Sequence, residues 1–132
     1  MVKLTIGLPT YNCENIIGNK IEELLKQSFK DYVLIISDNN STDNTGKICE
    51  SMSKKDNRIV FFQQDKNKGP FWNFNFLLQK AQTNYFVMTT PDDILSENFL
   101  ESNINILEKC KELVGSIGEC SLFNRIIDSN SN

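Results

Sequence analysis

Histidine is absent from the 132 residues. That removes imidazole acid/base catalysis, Ser-His and Cys-His nucleophile pairs, and His-ligated zinc. Cysteine is sparse and scattered: Cys13, Cys49, Cys110 and Cys120 include no C-x-x-C pair. Zinc and dithiol redox readings are therefore weak, and scattered thiols suit a reduced, intracellular chain better than a disulfide framework. No apolar run approaches the roughly 20 residues of a membrane span. The N-terminal run Val2–Leu8 is too short for a signal-peptide core with a cleavage site. An excess of positive charge is missing too. The net charge is −3, and no Lys/Arg-rich stripe offers a nucleic-acid surface. Internal repeats, low-complexity tracts and Pro/Gly-rich linkers do not occur.

What is present suffices for one compact domain. Hydrophobic residues make up 39% of the chain, and the length favours a single core. Val2–Leu8 reads as a buried strand stopped by Pro9. Ile17, Ile21, Leu24, Leu25 and Phe29 recur at helical spacing, which predicts a helix over Glu14–Phe29. Tyr32–Ile36 is apolar on both faces, as strands of a covered sheet are. Ser41-Thr42-Asp43 supplies helix-start chemistry for a helix over Thr45–Ser53. Arg58–Gln63 is a third strand, followed by the polar loop Asp65–Gly69. Pro70 suits the first turn of a third helix with the stripe Phe71, Phe74, Leu77, Leu78 and Ala81. Core is the favoured place for Phe71, Trp72 and Phe74. Tyr85–Met88 is a fourth strand. Ser96 is placed to cap a fourth helix carried by Phe99, Leu100, Asn103, Ile104, Leu107 and Cys110. In the tail, Leu113–Ile117 and Ser121–Ile127 have strand character, and Asp128-Ser129-Asn130 reads as a turn. Four strand–helix alternations specify an α/β domain with a mainly parallel sheet and right-handed crossovers.

In such sheets ligands bind beyond the carboxyl ends of the strands. Four polar clusters fall there: Pro9–Asn12, Ser37–Asp43, Asp65–Gly69 and Asp92-Asp93. Adjacent carboxylates repel, and a hard divalent cation removes that penalty. Asp92-Asp93 therefore reads either as a metal site completed by substrate phosphates or as a solvated helix start. Asp38 suits hydrogen bonds from a base or ribose, or an Asx turn. Asp43 fits helix-start chemistry. Tyr11 suits stacking on a nucleobase or covering the sheet edge. Thr10 and Asn12 suit nucleotide contact or organisation of the turn after Pro9. Gly69 allows backbone approach to a phosphate. Glu14 suits a helix N-terminus, and Lys66 and Lys68 a solvated loop.

These motifs resemble the inverting family-2 glycosyltransferases of GT-A fold. Ile6-Gly7-Leu8-Pro9-Thr10-Tyr11-Asn12 is similar to the family's opening strand, and Ser37-Asp38-Asn39-Asn40-Ser41-Thr42-Asp43-Asn44-Thr45 to its Asp-Asp-Gly-Ser-Thr-Asp signature. Asn67-Lys68-Gly69-Pro70 with Trp72-Asn73-Phe74-Asn75 resembles the third motif, and Thr89-Thr90-Pro91-Asp92-Asp93 the Asp-x-Asp region. The four in this order are specific, and the match runs from about Lys3 to about Leu100, continuing more weakly to the C-terminus. The resemblance implies a Rossmann-like GT-A domain over residues 1–132, with a mainly parallel sheet flanked by helices. It implies a nucleotide-diphosphate sugar donor, UDP-linked for preference, and transfer to a glycan or lipid-linked acceptor in cell-surface polysaccharide synthesis. Thr10 and Tyr11 would line the base pocket, Asp38 would contact the base, and Asp92 would lie near the ribose or sugar. The donor site expected is Pro9, Thr10, Tyr11, Asn12, Asp38, Asn40 and Asp92, with Mn2+ or Mg2+ on Asp93 and Asp92.

Three departures stand out. Asn39 replaces the family's frequent second Asp. Thr90 replaces the first Asp of Asp-x-Asp. GT-A domains also run well beyond this length, so the acceptor side and its catalytic carboxylate base are expected to be missing. Asp128 is not nominated for that role. A truncated domain would leave apolar surface open to self-association. The expected location is the cytoplasm, the inner membrane face included. Alternative readings are a non-catalytic nucleotide-sugar-binding module, a fold-only assembly domain and, last, a nucleotidyltransferase, for which Pro9–Asn12 lacks the glycine and the cation.

Overall fold

The computed structural model describes residues 1–116. The strand expected at Ser121–Ile127, the turn at Asp128–Asn130, Ile117 and Cys120 lie outside the described residues. Strands and helices alternate as β1 (Leu4–Thr10), α1 (Glu14–Leu25), β2 (Tyr32–Asp38), α2 (Thr45–Ser53), β3 (Ile59–Gln63), α3 (Pro70–Lys80), β4 (Tyr85–Met88) and α4 (Phe99–Lys109). The strands form one parallel sheet in the order β3-β2-β1-β4.

Strand alternation divides the sheet into two faces. Leu4, Ile6 and Leu8 of β1 join Tyr32, Leu34 and Ile36 of β2 on one face. There they pack with Ile17, Ile21 and Leu24 of α1, Cys49 of α2, and Leu100 and Ile104 of α4. Each such Leu or Ile contributes roughly 1.5–3 kcal/mol by leaving water. The other face meets α3, where the buried Asn73 donates to the Ser37 carbonyl at 2.9 Å and accepts from the Ser37 hydroxyl.

Several sequence expectations need correction. β1 runs through Pro9 to Thr10 instead of stopping at Leu8. α1 ends at Leu25, because Gln27 and Ser28 turn away to hydrogen-bond Ser96 and Glu97. The expected α3 stripe holds at Leu77 and fails at Phe71 and Leu78. Asn73 and Leu77 point inward, whereas Phe71 is 81% exposed and Leu78 54% exposed. The tie to Ser37 pulls the polar residue in and turns the aromatics out. Trp72, also expected in the core, instead stacks on Phe76 and receives the Lys68 ammonium 4.2 Å from its ring centre. α4 is preceded by Asn98 with no side-chain cap, and Ser96 lies one turn upstream. Leu113–Ser116 form no strand.

Candidate functional site

β4 sits on the opposite side of β1 from β2 and β3, so the strand order reverses at the β1–β4 seam. That is where open α/β sheets form a crevice. Pro9 explains how it opens. Pairing of β1 with β4 stops at Gly7↔Met88, whereas pairing with β2 continues to Thr10↔Asp38. The Gly7 carbonyl accepts from Thr89 on the β4 side, and the Thr10 carbonyl accepts from Asn39 on the β2 side. Pro9 shares the parity of Gly7, so its proton-less nitrogen faces the side where β4 has ended. A proline costs no ladder bond there. The gap becomes a cavity of about 280 Å³ lined by Pro9, Thr10, Tyr11, Asn39, Asn67, Pro70, Asn73, Phe74 and Thr90.

The β2 side of this crevice is a closed hydrogen-bond lattice. Asp38 is fully buried. Its carboxylate accepts from the Thr10 hydroxyl at 3.0 Å, the Ser41 amide at 3.0 Å, the Ser41 hydroxyl and the Gln63 amide at 2.7 Å. A Cβ on Gly46 would displace the Gln63 side chain, so glycine lets α2 approach this group. Asn12 and Asn40 take positive φ, 46° and 62°, which asparagine tolerates better than most residues. The Asn12 side-chain oxygen accepts from the Thr42 backbone amide at 2.8 Å, and the Asn12 backbone amide donates to the Ser41 hydroxyl. Asn12 thus sews the β1 loop to the β2 loop.

The first turns of α1 and α2 cap one another. Asp43 accepts from the Glu14 and Thr45 amides, and the Glu14 carboxylate accepts from the Asn44 amide and side chain. Burial works to raise the Asp43 pKa, but the bonds from Thr45 and Glu14 outweigh it and hold it below the ordinary value. The expected helix-start role of Asp43 is what the geometry shows.

The next wall is a set of side-chain amides. Asn39 donates to the Asn67 side chain and the Gly69 carbonyl, and accepts from the Lys68 amide. Gly69 has φ 86° and ψ 161°, a conformation essentially reserved for glycine. It aims its carbonyl at Asn39 while opening α3. Lys68 pairs with Asp65 at 2.9 Å.

Beyond β4, Asp92 and Asp93 lie exposed in the loop before α4. Both are tied to Thr90, which lines the cavity. The Thr90 hydroxyl donates to one Asp92 oxygen at 2.6 Å, and the Thr90 amide donates to one Asp93 oxygen at 2.8 Å. Burial acts to raise the Asp93 pKa. The Thr90 bonds, the Thr89 hydroxyl and the Lys20 charge prevail and hold it below the ordinary carboxylate range. Asp93 is therefore a carboxylate at neutral pH. Among the described residues no group of three or more His, Cys, Asp or Glu side chains could hold a metal. A closed protein cage is thus excluded there. Two adjacent carboxylates do fit a Mg2+ or Mn2+ site of few protein ligands, completed by water and phosphate oxygens.

Of the residues expected from sequence, Pro9, Thr10 and Tyr11 line the cavity. Asp92 and Asp93 stand beside it through Thr90. Asp38, Asn12 and Asn40 are not on its wall. Asn39 occupies the pocket side of β2 that the sequence reading assigned to Asp38. Asn67, Pro70, Asn73 and Phe74 complete the wall, and none was singled out as a binding residue. The thiols offer no nucleophile here: burial raises Cys13 and pushes Cys49 up to about 12.

The model of glycosyl transferase family 2 matches residues 5–130. The chain belongs to that family. It is 32% identical over 113 residues, 85% of its length, to the GalNAc(5)-diNAcBac-PP-undecaprenol beta-1,3-glucosyltransferase of Campylobacter jejuni, covering 36% of that protein. It is 30% identical over 99 residues, 75% of its length, to glycosyltransferase GlyG of Streptococcus pneumoniae, covering 33% of it. The crystal structure of Staphylococcus aureus TarS 1-349 with UDP-GlcNAc superimposes with TM-score 0.74 at 26% identity, over 81% of this chain and 31% of that one. The chain thus spans about a third of the length of these relatives. Its sheet and flanking helices are part of a GT-A fold.

Proposed function

We propose that this family-2 chain forms the donor site of a glycosyltransferase, holding a UDP-linked sugar for transfer to a glycan or lipid-linked acceptor in cell-surface polysaccharide synthesis. The observation that carries this reading is the β1–β4 cavity, with an exposed aromatic at its mouth and two exposed carboxylates bound to one of its lining residues. At about 280 Å³ the cavity is near the lower end of ligand sites. It suits a nucleoside, with diphosphate and sugar continuing toward Asp92-Asp93. Tyr11, 48% exposed, offers its ring for stacking on the base. Asn67, held through its side-chain oxygen by Asn39 and the Gly69 amide, presents its side-chain NH2 for hydrogen bonds to it. Asp38 fixes Thr10 and Ser41 in place, and Asn12 and Asn40 shape the loops behind them. Asp92 faces the ribose or sugar side. The UDP and UDP-GlcNAc complexes of TarS support the choice of uridine.

Asp93 and Asp92 would hold Mn2+ or Mg2+. When bound, the cation supplies neutralisation of charge on the departing diphosphate. Inverting transfer also needs a base to take the acceptor proton, and no residue of this chain is assigned to it.

Isothermal titration with UDP tests the reading. The expected result is binding that tightens when Mn2+ is added. A folded sample that binds no UDP, with or without Mn2+, would sink it.

A further inference from the structure

One stripe of α1 is polar where the helix meets the Asp92-Asp93 loop. Lys20 and Glu23 are three residues apart and share a face, and Gln27, just past the end of α1, continues the line. Lys20 is only 3% exposed. Its ammonium donates to the Asp93 carbonyl at 2.8 Å and to Glu23 at 2.7 Å. The same Glu23 oxygen accepts from the Leu95 amide at 3.3 Å. Gln27 donates to the Ser96 carbonyl at 2.7 Å and accepts from the Leu100 amide at 3.1 Å. All four partners, three in the loop and Leu100 at the start of α4, are backbone groups, so these side chains fix the path of the chain and leave the loop's side chains alone.

The loop needs such a hold. Between β4 and α4 it forms turns and irregular backbone, and Ile94 is 77% exposed, so it anchors nothing. Lys20 and Glu23 grip the residues on either side of it. Stability alone does not account for a buried ammonium whose ion partner, Glu23, is 28% exposed, because an apolar residue of similar volume commonly serves as well or better. The grip acts on the backbone of Asp93, whose carboxylate accepts from Thr89 and Thr90, the latter a lining residue of the cavity.

We propose that the Lys20–Glu23 pair, with its ammonium buried, is a positioning device that sets the Asp92-Asp93 carboxylates for a divalent cation. The inference rests on the donor-site reading for the cation's role. The grip on the loop stands on its own geometry.

The test compares wild type with Lys20→Met, which keeps the apolar stem and removes the ammonium, and with Lys20→Arg. Two quantities are read: amide hydrogen exchange at Thr90, Asp93 and Leu95, and the factor by which Mn2+ strengthens UDP binding. In Lys20→Met, exchange at those amides accelerates while the β1 and β2 amides keep their protection. The Mn2+ factor falls about tenfold, the scale of loss when a group orienting a metal ligand is removed. UDP binding without metal is unchanged, and Lys20→Arg restores both readouts. If Lys20→Met does not fold, Glu23→Gln carries the same comparison with the ammonium retained. Wild-type exchange in a folded Lys20→Met overturns the proposal, and so does an equal loss of metal-free and metal-assisted UDP binding. A wild-type protein whose UDP binding ignores Mn2+ overturns the cation role, while the exchange data still decide whether the pair holds the loop.

Discussion

Asp38 and Asp93 are the same residue type, one closing β2 and the other following β4, and their surroundings are opposite. Asp38 has no exposed surface and is surrounded by donors from Thr10, Ser41 and Gln63. Asp93 is exposed, and its recorded bonds use one oxygen, toward Thr89 and Thr90. A saturated carboxylate stabilises the wall of a site. A partly bonded one can still accept a cation or a ligand. Position at a strand end is shared by both, so free acceptor capacity is what separates a buttress from a binding group.

Substitutions can break that contrast. Asp38→Ala strands the Thr10 hydroxyl, the Ser41 amide and the Gln63 side chain, and should cost about 3 kcal/mol in urea unfolding. UDP affinity should fall with it, because Thr10 loses its anchor. Gly69→Ala puts a side chain on φ 86° and should cost about 2 kcal/mol, loosening the Asn39–Asn67 wall. Asp43→Ala removes the shared cap of α1 and α2 and should cost about 1 kcal/mol at neutral pH. Its folded pKa is lowered from 3.8. The cap's contribution is thus complete above the unfolded value and is lost as pH falls through the folded one. Unfolding curves of wild type and Asp43→Ala should therefore converge in acid. Asp93→Asn keeps an acceptor for Thr90 and should change stability by less than about 0.5 kcal/mol, yet abolish the Mn2+ response of UDP binding. A large stability loss there would make Asp93 a second buttress.

Much of the fold was visible in residue spacing. β4 and α2 have the predicted bounds, and the alternation of elements gave the parallel sheet. The inward face of α3 was not visible, because Asn73 is buried by a partner 36 residues away, Ser37, and local periodicity carries no such information. The misplacement of Asp38 was avoidable. Leu34, Ile36 and Asp38 share one parity, so period two already puts Asp38 on the face covered by α1 and α2, and leaves Asn39 with Ser37 on the α3 side. Lys20 and Gln27 carried a similar signal. They fall in phase with Ile17, Ile21 and Leu24, and polar residues inside a buried stripe mark bonds to another segment. The Asp92-Asp93 pair stood out because two adjacent carboxylates need a reason.

The central claim is that the β1–β4 cavity, walled by Asn39 and edged by Asp92-Asp93, receives the nucleotide. Amide ¹H–¹⁵N spectra recorded during a UDP titration with Mn2+ test it directly. The account predicts shifts concentrated at Tyr11, Asn39, Asn67 and Thr90, with Mn2+ broadening centred on Asp92 and Asp93. Shifts confined to the α1–α4 side of the sheet, or none at saturating UDP, would contradict it.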